Sequence, residues 1–452
     1  LRISRFGRFV TYALPVLSVV MAALVLLGPG APRPVHGVRV RGLVAEGSRV
    51  LALRLEGVRR IWSVDDALAL DGVRVEAASG GVALSSWEGA LGEDGVGEAR
   101  LVAPEPLRGS VHVRVTHAGA TLGEGTIAVR PAEPRAIDGG RVQGTSTGDA
   151  LSIGVSVPRG QLAAAFPETI EVRVSSHDGA VVAGTAAAEV SGASIAPAQA
   201  TLDEHGAARF VVRPHLHAAQ LTVKARDVGG RETTWEGYLP VRPGAIWVAP
   251  AAGALTVRSQ ARRPWAYVSI EGAMGRVFGA ALPLVQGADG ISSGALSESE
   301  LSTLAASAKL AGPPGPLYAI VAADPYEQGS GTSAWPLAPD EGRLAFSPIE
   351  LVIDGVPAVE ARETKRAGRA RIIGVTVIAL AALVEVLLLI TRSRRSQHNL
   401  EAHLVEASTG MPALDRERLT VAGREHPVLY LATFTGLVLL AFALFAAVTT
   451  FH

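Results

Sequence analysis

The sequence predicts a mainly β protein, built of tandem β-sandwich domains together with three transmembrane α-helices. Three observations predict it. Stretches such as Val111-His112-Val113-Arg114-Val115-Thr116 alternate apolar and polar side chains, and a period of two buries one face of a sheet while wetting the other. Part of the chain before Pro131 is echoed before Pro243, and self-similarity at domain length marks tandem copies of one module. Finally, the apolar runs Phe9–Leu27, Ile372–Ile390 and Val428–Thr449 approach the ~20 residues that a helix needs to cross a bilayer.

Composition agrees. The 452 residues include 42 Lys plus Arg and 42 Asp plus Glu, so no charge excess points to nucleic acid or an acidic substrate. Aromatics make up only 5%, while Gly (50) and Pro (27) are abundant, a mix that suits short strands joined by turns. Cysteine is absent, which excludes disulfides, thiolate metal sites, a Cys nucleophile and Cys-linked lipid anchors. Residue 1 is Leu rather than Met, read as a non-ATG start or a trimmed N-terminus.

Taken in order, the N-terminus (1–8) carries Arg2, Arg5 and Arg8 ahead of the first apolar run. That run (9–28) exceeds the ~7–15 residues of a signal-peptide core, and the Gly-Pro-Gly-Ala-Pro that ends it offers no clean cleavage site, so an uncleaved signal anchor is expected. An exported β-rich region follows from about Val35. Leu91-Gly92-Glu93-Asp94-Gly95 leads into Ala99-Arg100-Leu101-Val102, and Leu202-Asp203-Glu204-His205-Gly206 leads into Ala208-Arg209-Phe210-Val211. Each copy closes on Val-Arg-Pro, at Pro131 and Pro243. The expected domains are therefore 35–131 and 132–243.

The second copy runs Ile170-Glu171-Val172-Arg173-Val174, then His177-Asp178-Gly179-Ala180-Val181-Val182-Ala183-Gly184, then the Asp203–Gly206 turn and Ala208–Val212. This pattern resembles the bacterial immunoglobulin-like modules of invasin- and intimin-type proteins and related macroglobulin-like sandwiches. The resemblance implies an immunoglobulin-like β-sandwich acting as spacer or adhesive surface. It carries over no catalytic residue.

The third exported region, 244–360, departs from the repeat. Trp265–Ile270 and Leu317–Val321 read as strands. Ser297 and Glu300 have capping-box spacing before a helix that Gly312-Pro313 ends. This region is the candidate site for a glycan or protein ligand. A charged stalk (361–371) precedes the second span (372–391). Then come a loop (392–427) with an amphipathic helix near Gln397–Ala407, and a last span (428–450). Arg2, Arg5, Arg8 and Arg392, Arg394, Arg395 place the N-terminus and loop in the cytoplasm. Lys365, Arg366, Arg369 and Arg371 dissent, since they would lie outside.

Glu385 is the sharpest single residue, because an ionisable group within a spanning helix is costly and generally partnered. Its expected neighbours at similar depth on the last helix are Tyr430, Thr433 and Thr435, with Gly436 permitting close approach. These five are the expected helix-packing or partner contacts. Gly144-Thr145-Ser146-Thr147-Gly148 matches G-x-S-x-G by letter, but its flanks are not strand and helix, so a linker turn is expected. His215, His217, His205 and Asp203 do not reach a defensible zinc or copper pattern, nor do Asp324, Glu327 and Gly329–Gly331 a calcium loop. No metal and no cofactor are expected. The whole predicts a non-enzymatic recognition subunit of a bacterial inner-membrane complex with a periplasmic arm. Rival readings are a free-standing adhesin or envelope-binding protein, a transmembrane sensor, and a serine hydrolase using Ser146.

Overall fold

In the computed structural model the structure describes residues 33–131, 135–136, 140–148, 150–215, 217–251, 254–272, 274–312, 317–326, 333–336, 345–346 and 349–407, with scattered residues between 17 and 31. Two compact units divide the chain: Val35–Val359, and Leu1–Pro34 with Glu360–His452.

Within Val35–Val359 the strands form three sandwich modules, so the described chain is mainly β with stacked antiparallel sheets. In the first module one sheet runs Val64–Ala67, Val50–Ile61, Val35–Gly42, Glu350–Asp354, with Val96–Val102 also paired to Val50–Ile61. The facing sheet runs Val82–Ala83, Leu70–Ser79, Ser110–His117, Ala120–Ala128, with Trp87–Leu91 on Leu70–Ser79. Val38, Val40, Leu53, Leu55, Val73, Val75, Val113 and Val115 fill the space between them. In Ser110–His117 the alternation is literal: Val111, Val113 and Val115 are buried, and His112 and Arg114 are exposed.

The strand Glu350–Asp354 is the unforeseen member of this sheet. It lies inside the stretch read from sequence as the third region, yet pairs Asp354 with Arg39 and Ile353 with Val40. Ile353 is buried in the first core. Gly355 follows in a slot bounded by the Leu122 carbonyl, Gly123 and the Val38 carbonyl, where a Cβ would overlap backbone. Val35, Val58 and Val356 are then buried together, so the unit starts and finishes at one edge of one sheet.

The second module pairs Gly144–Thr147, Glu232–Leu239, Ala219–Asp227, Gly184–Ser191 and Gln199–Thr201 in one sheet. Leu151–Ser156, Glu168–Ser176, Ala207–Pro214 and Ala193–Ala196 form the other. Its core, around Ile153, Val172, Phe210, Leu221, Val223 and Trp235, comes wholly from residues 142–241. The repeated turns match in structure. The Gly95 N–H reaches the Gly92 carbonyl at 2.9 Å, and that of Gly206 reaches Asp203 at 3.0 Å. Both glycines hold positive φ, 76° and 71°, a conformation that costs little only without a Cβ.

The third module pairs Trp247–Ala251, Ala254–Ser259, Ser292–Ala295 and Val285–Gln286, facing Gly275–Pro283, Trp265–Gly272, Tyr318–Ala322 and Ser333–Pro336. The helix Glu298–Ala311 carries the expected capping box, with Ser297 and Glu300 each satisfying the other's backbone N–H.

The helix Val356–Ala407, 52 residues long, opens on the last residues of the β unit and, within the other unit, runs unbroken through 361–371 and 372–391. It continues past Arg392, where a loop was expected, because Ser393–Ala407 contains neither Gly nor Pro to stop it. Among the described residues no helix is long and apolar enough to cross a membrane. Within Ile372–Ile390 the side chains at 378, 381, 382, 385, 388 and 389 lie outside the description. Of the run expected at 9–28 only scattered residues are described, and 428–450 lies outside the described residues.

Candidate functional site

The strand Val50–Ile61 carries the site. Leu51, Leu53 and Leu55 face the first module's core. By alternation Val50, Ala52, Arg54 and Glu56 take the opposite face, which sequence alone would leave in water. That face is buried: Val50 and Ala52 join the third module's core, and Arg54 and Glu56 are 0% and 5% exposed.

Charges on this covered face must be paired, because an isolated ion in a low-dielectric interior is heavily penalised. Glu98, on the neighbouring strand, bridges two buried guanidiniums. Its Oε1 accepts from Arg54 Nε at 2.7 Å and its Oε2 from Arg276 Nη2 at 2.7 Å. Arg54 also donates to the Pro325 carbonyl at 3.1 Å and the Val268 carbonyl at 3.3 Å. Ser269 Oγ accepts from Arg276 Nε at 2.9 Å. The Arg54 guanidinium lies 5.5 Å from the centroid of the Tyr267 ring. Burial, reinforced by Asp94, pushes the Tyr267 hydroxyl well above its ordinary pKa. A Cβ at Gly279 would overlap both the Arg276 guanidinium and the Glu98 carboxylate, so glycine there makes room for the bridge. Around it, Arg41 pairs with Glu56 at 3.6 Å and lies over the Tyr326 ring. Burial raises the Glu56 pKa, and Arg41 opposes that rise. Arg100 reaches Ser307 on the helix Glu298–Ala311 at 2.9 Å.

A second joint fastens the middle module to the third. Phe166 stacks on Trp247, ring centroids 5.2 Å apart and planes within 7°. The Trp247 indole N–H donates to Glu168, which also accepts from Arg159 at 3.1 Å, and Arg159 donates to the Val248 carbonyl at 2.8 Å. Desolvation raises the Glu168 pKa, and Arg159 and Trp247 pull it back. Chemically, both constellations hold surfaces together. Glu98–Arg276 is an ion pair across a module boundary, whereas the second joint crosses through the hydrogen bonds of Trp247 to Glu168 and of Arg159 to the Val248 carbonyl.

Of the residues singled out by sequence, Glu385 lies on the helix Val356–Ala407 with its side chain outside the description; Tyr430, Thr433, Thr435 and Gly436 lie outside the described residues. Ser146 stands on the strand Gly144–Thr147 opposite Trp235, and the chain goes on to the strand Leu151–Ser156, so no strand–turn–helix elbow forms around it. Among the described residues no group of three or more His, Cys, Asp or Glu could hold a metal ion. Asp324 accepts from the Tyr326 backbone N–H at 2.9 Å, and Glu327 and 329–331 lie outside the described residues. The bridge Arg54–Glu98–Arg276 was missed. Its one sequence signal was the apolar pair Val50 and Ala52 on the nominally wet face.

No family model matches the chain, and no curated protein matches it. Solved structures do. A glycoside hydrolase family 2 β-glucuronidase matches at 17% identity over 46% of this chain and 21% of that one, TM-score 0.16. Invasin, a bacterial integrin-binding protein, matches at 13% identity over 69% of this chain and 60% of that one, TM-score 0.18. The D0–D1 domain of intimin matches at 14% identity over 46% of this chain and 99% of that one, TM-score 0.16. This chain thus spans about a fifth of the first structure's length. Structural neighbours of the invasin and intimin type, sequence-read above, are present at low identity.

Proposed function

We propose that this chain is a non-enzymatic bacterial envelope protein, a rigid three-module recognition or adhesive arm outside the cytoplasm, tethered to the inner membrane by apolar helices. One observation carries the reading: Glu350–Asp354 returns to pair with Val35–Gly42, so the β unit is held by both its ends at one edge. Apolar runs flank that unit in sequence on both sides. The Glu98–Arg276 bridge and the hydrogen bonds of Arg54 to Val268, Trp247 to Glu168 and Arg159 to Val248 fix its modules against one another, which suits a surface that must present loops in constant relation. On the helix Val356–Ala407, Ile373, Val377, Leu380, Val384 and Leu387 are exposed along one face, an apolar area that lipid or another helix covers more favourably than water. A second reading, a docking subunit of a larger membrane assembly, is favoured by the ionisable Glu385 within an otherwise apolar run.

The absence of cysteine makes the test clean. Glu204→Cys, on an exposed turn, should react with a membrane-impermeant maleimide in cells whose cytoplasmic membrane is intact. Arg394→Cys should react only after that membrane is opened. Labelling of Glu204→Cys only after lysis would overturn the exported arm. Mild-detergent purification of the full chain beside Glu385→Ala separates the two readings. A fixed set of membrane partners lost from the variant moves the assignment to the docking subunit.

A further inference from the structure

The helix Val356–Ala407 changes character along a single face. Stepping by three or four residues, Arg362, Lys365 and Arg369 are exposed, and the same line continues through Ile373, Val377, Leu380, Val384, Leu387 and Ile390, all exposed. Steps of three and four keep side chains on one side of an α-helix. The other side is different: Ala370 and Gly374, four apart, are buried. So the surface left open is cationic for its first turns and apolar thereafter, with the change between Arg369 and Ile372.

Within this end, Lys365 and Arg369 stand apart from the nearby acids. Glu363 is engaged by Arg366 at 2.7 Å, and among the described residues neither Lys365 nor Arg369 has a carboxylate within salt-bridge distance. These are the residues that dissent from the topology read from charge, and sequence alone gives them no task.

We propose that this face binds an anionic phospholipid of the outer leaflet, its phosphate held by Lys365 and Arg369 and its acyl chains lying along Ile372, Ile373 and Val377. The inference rests on the tethered-arm reading. A helix rises 1.5 Å per residue, so the four and eight positions from Arg369 to Ile373 and Val377 correspond to roughly 6 and 12 Å. That is the depth over which a phospholipid passes from headgroup into hydrocarbon. Long basic side chains at such a junction extend toward the phosphate plane while their methylenes stay apolar. Positive charge just outside an exported span opposes the usual charge rule; a phosphate partner supplies the compensating interaction.

The test uses the full chain, reconstituted into phosphatidylcholine vesicles with or without phosphatidylglycerol. Bound lipid is read by native mass spectrometry after mild-detergent release. Native protein should retain phosphatidylglycerol in preference to phosphatidylcholine. Lys365→Gln and Arg369→Gln should each reduce that preference about fivefold at low salt, the effect of removing one cation near an anionic surface. Arg173→Gln, on the exposed face of the middle module, should leave it unchanged. Equal retention of the two lipids, or a preference untouched in the Lys365→Gln/Arg369→Gln double variant, would overturn the lipid site while carbonate-resistant flotation of the same samples upholds the tether. Failure to float with either vesicle overturns the tether, and the lipid site with it.

Discussion

The middle module and the first module are built from the same repeat and reach their native state by different routes. The middle one is continuous, and every residue of its core lies between Val142 and Val241. The first has the matching turn at Gly95 but needs Ile353, some 300 residues from its opening strand, to complete its core and sheet. It also turns the second face of Val50–Ile61 to the third module, where the middle module keeps charged residues such as Arg173 and Arg209 in water. The difference shows that a repeated sequence fixes the sandwich, whereas assembly into one arm depends on what covers each outer face.

The largest expected effect comes from Glu98→Gln. It leaves two guanidiniums with 0% exposed side chains facing a neutral amide, and breaking a buried pair from one side costs about 3–5 kcal/mol. Chemical denaturation followed by hydrogen exchange should show protection lost in the first and third modules together. Loss confined to the first would mean the bridge does not couple them. Phe210→Ala should cost about 3–5 kcal/mol as well, but hydrogen exchange should place that loss in the middle module, whose core draws on no other. Ile353→Ala should cost about 2–4 kcal/mol and lower protection along Val35–Gly42, a strand far from it in sequence. If Val35–Gly42 stays protected, the return strand is dispensable and the contrast between modules weakens.

The smallest effect is electrostatic. Hydrogen bonds first from Arg60 and then from Arg39 hold the Asp65 carboxyl down at about 2, below its usual 3.8. A depressed folded-state pKa contributes stability above the unfolded value, and that contribution is lost as pH falls through the folded one. Thermal melts of Asp65→Asn should therefore be less sensitive to acidification between pH 3.8 and about 2 than melts of the native chain. The difference is small because the pair is partly exposed.

Much of the architecture was legible in the residues. Alternation located strands such as Ser110–His117 and Ala219–Asp227, and the matching turns Gly92–Gly95 and Asp203–Gly206 declared the tandem copies. Ser297 and Glu300 announced the helix that follows them. All of these are local signals, set by side-chain period, turn conformation and capping. Glu350–Asp354 has only one buried residue, and five residues with so weak a pattern cannot specify which of several sheets they join. Arg54, Glu98 and Arg276 carry no local signal of burial, since what covers them comes from a module more than 150 residues away.

The return of Glu350–Asp354 also sets an order of events during synthesis. Domains emerging from the ribosome generally fold as units, the N-terminal one first. Here the module nearest the N-terminus lacks a strand until Asp354 has been made, so the middle module, complete by Val241, can mature ahead of it. Closing so long a loop adds little entropy penalty beyond that of a shorter one, since the cost rises only with the logarithm of length. The delay is instead a period of exposure: the edge of Val35–Gly42 stays open to stray strands while the rest of the β unit is produced. A nascent chain of this design gains from a holding chaperone until its final strand arrives.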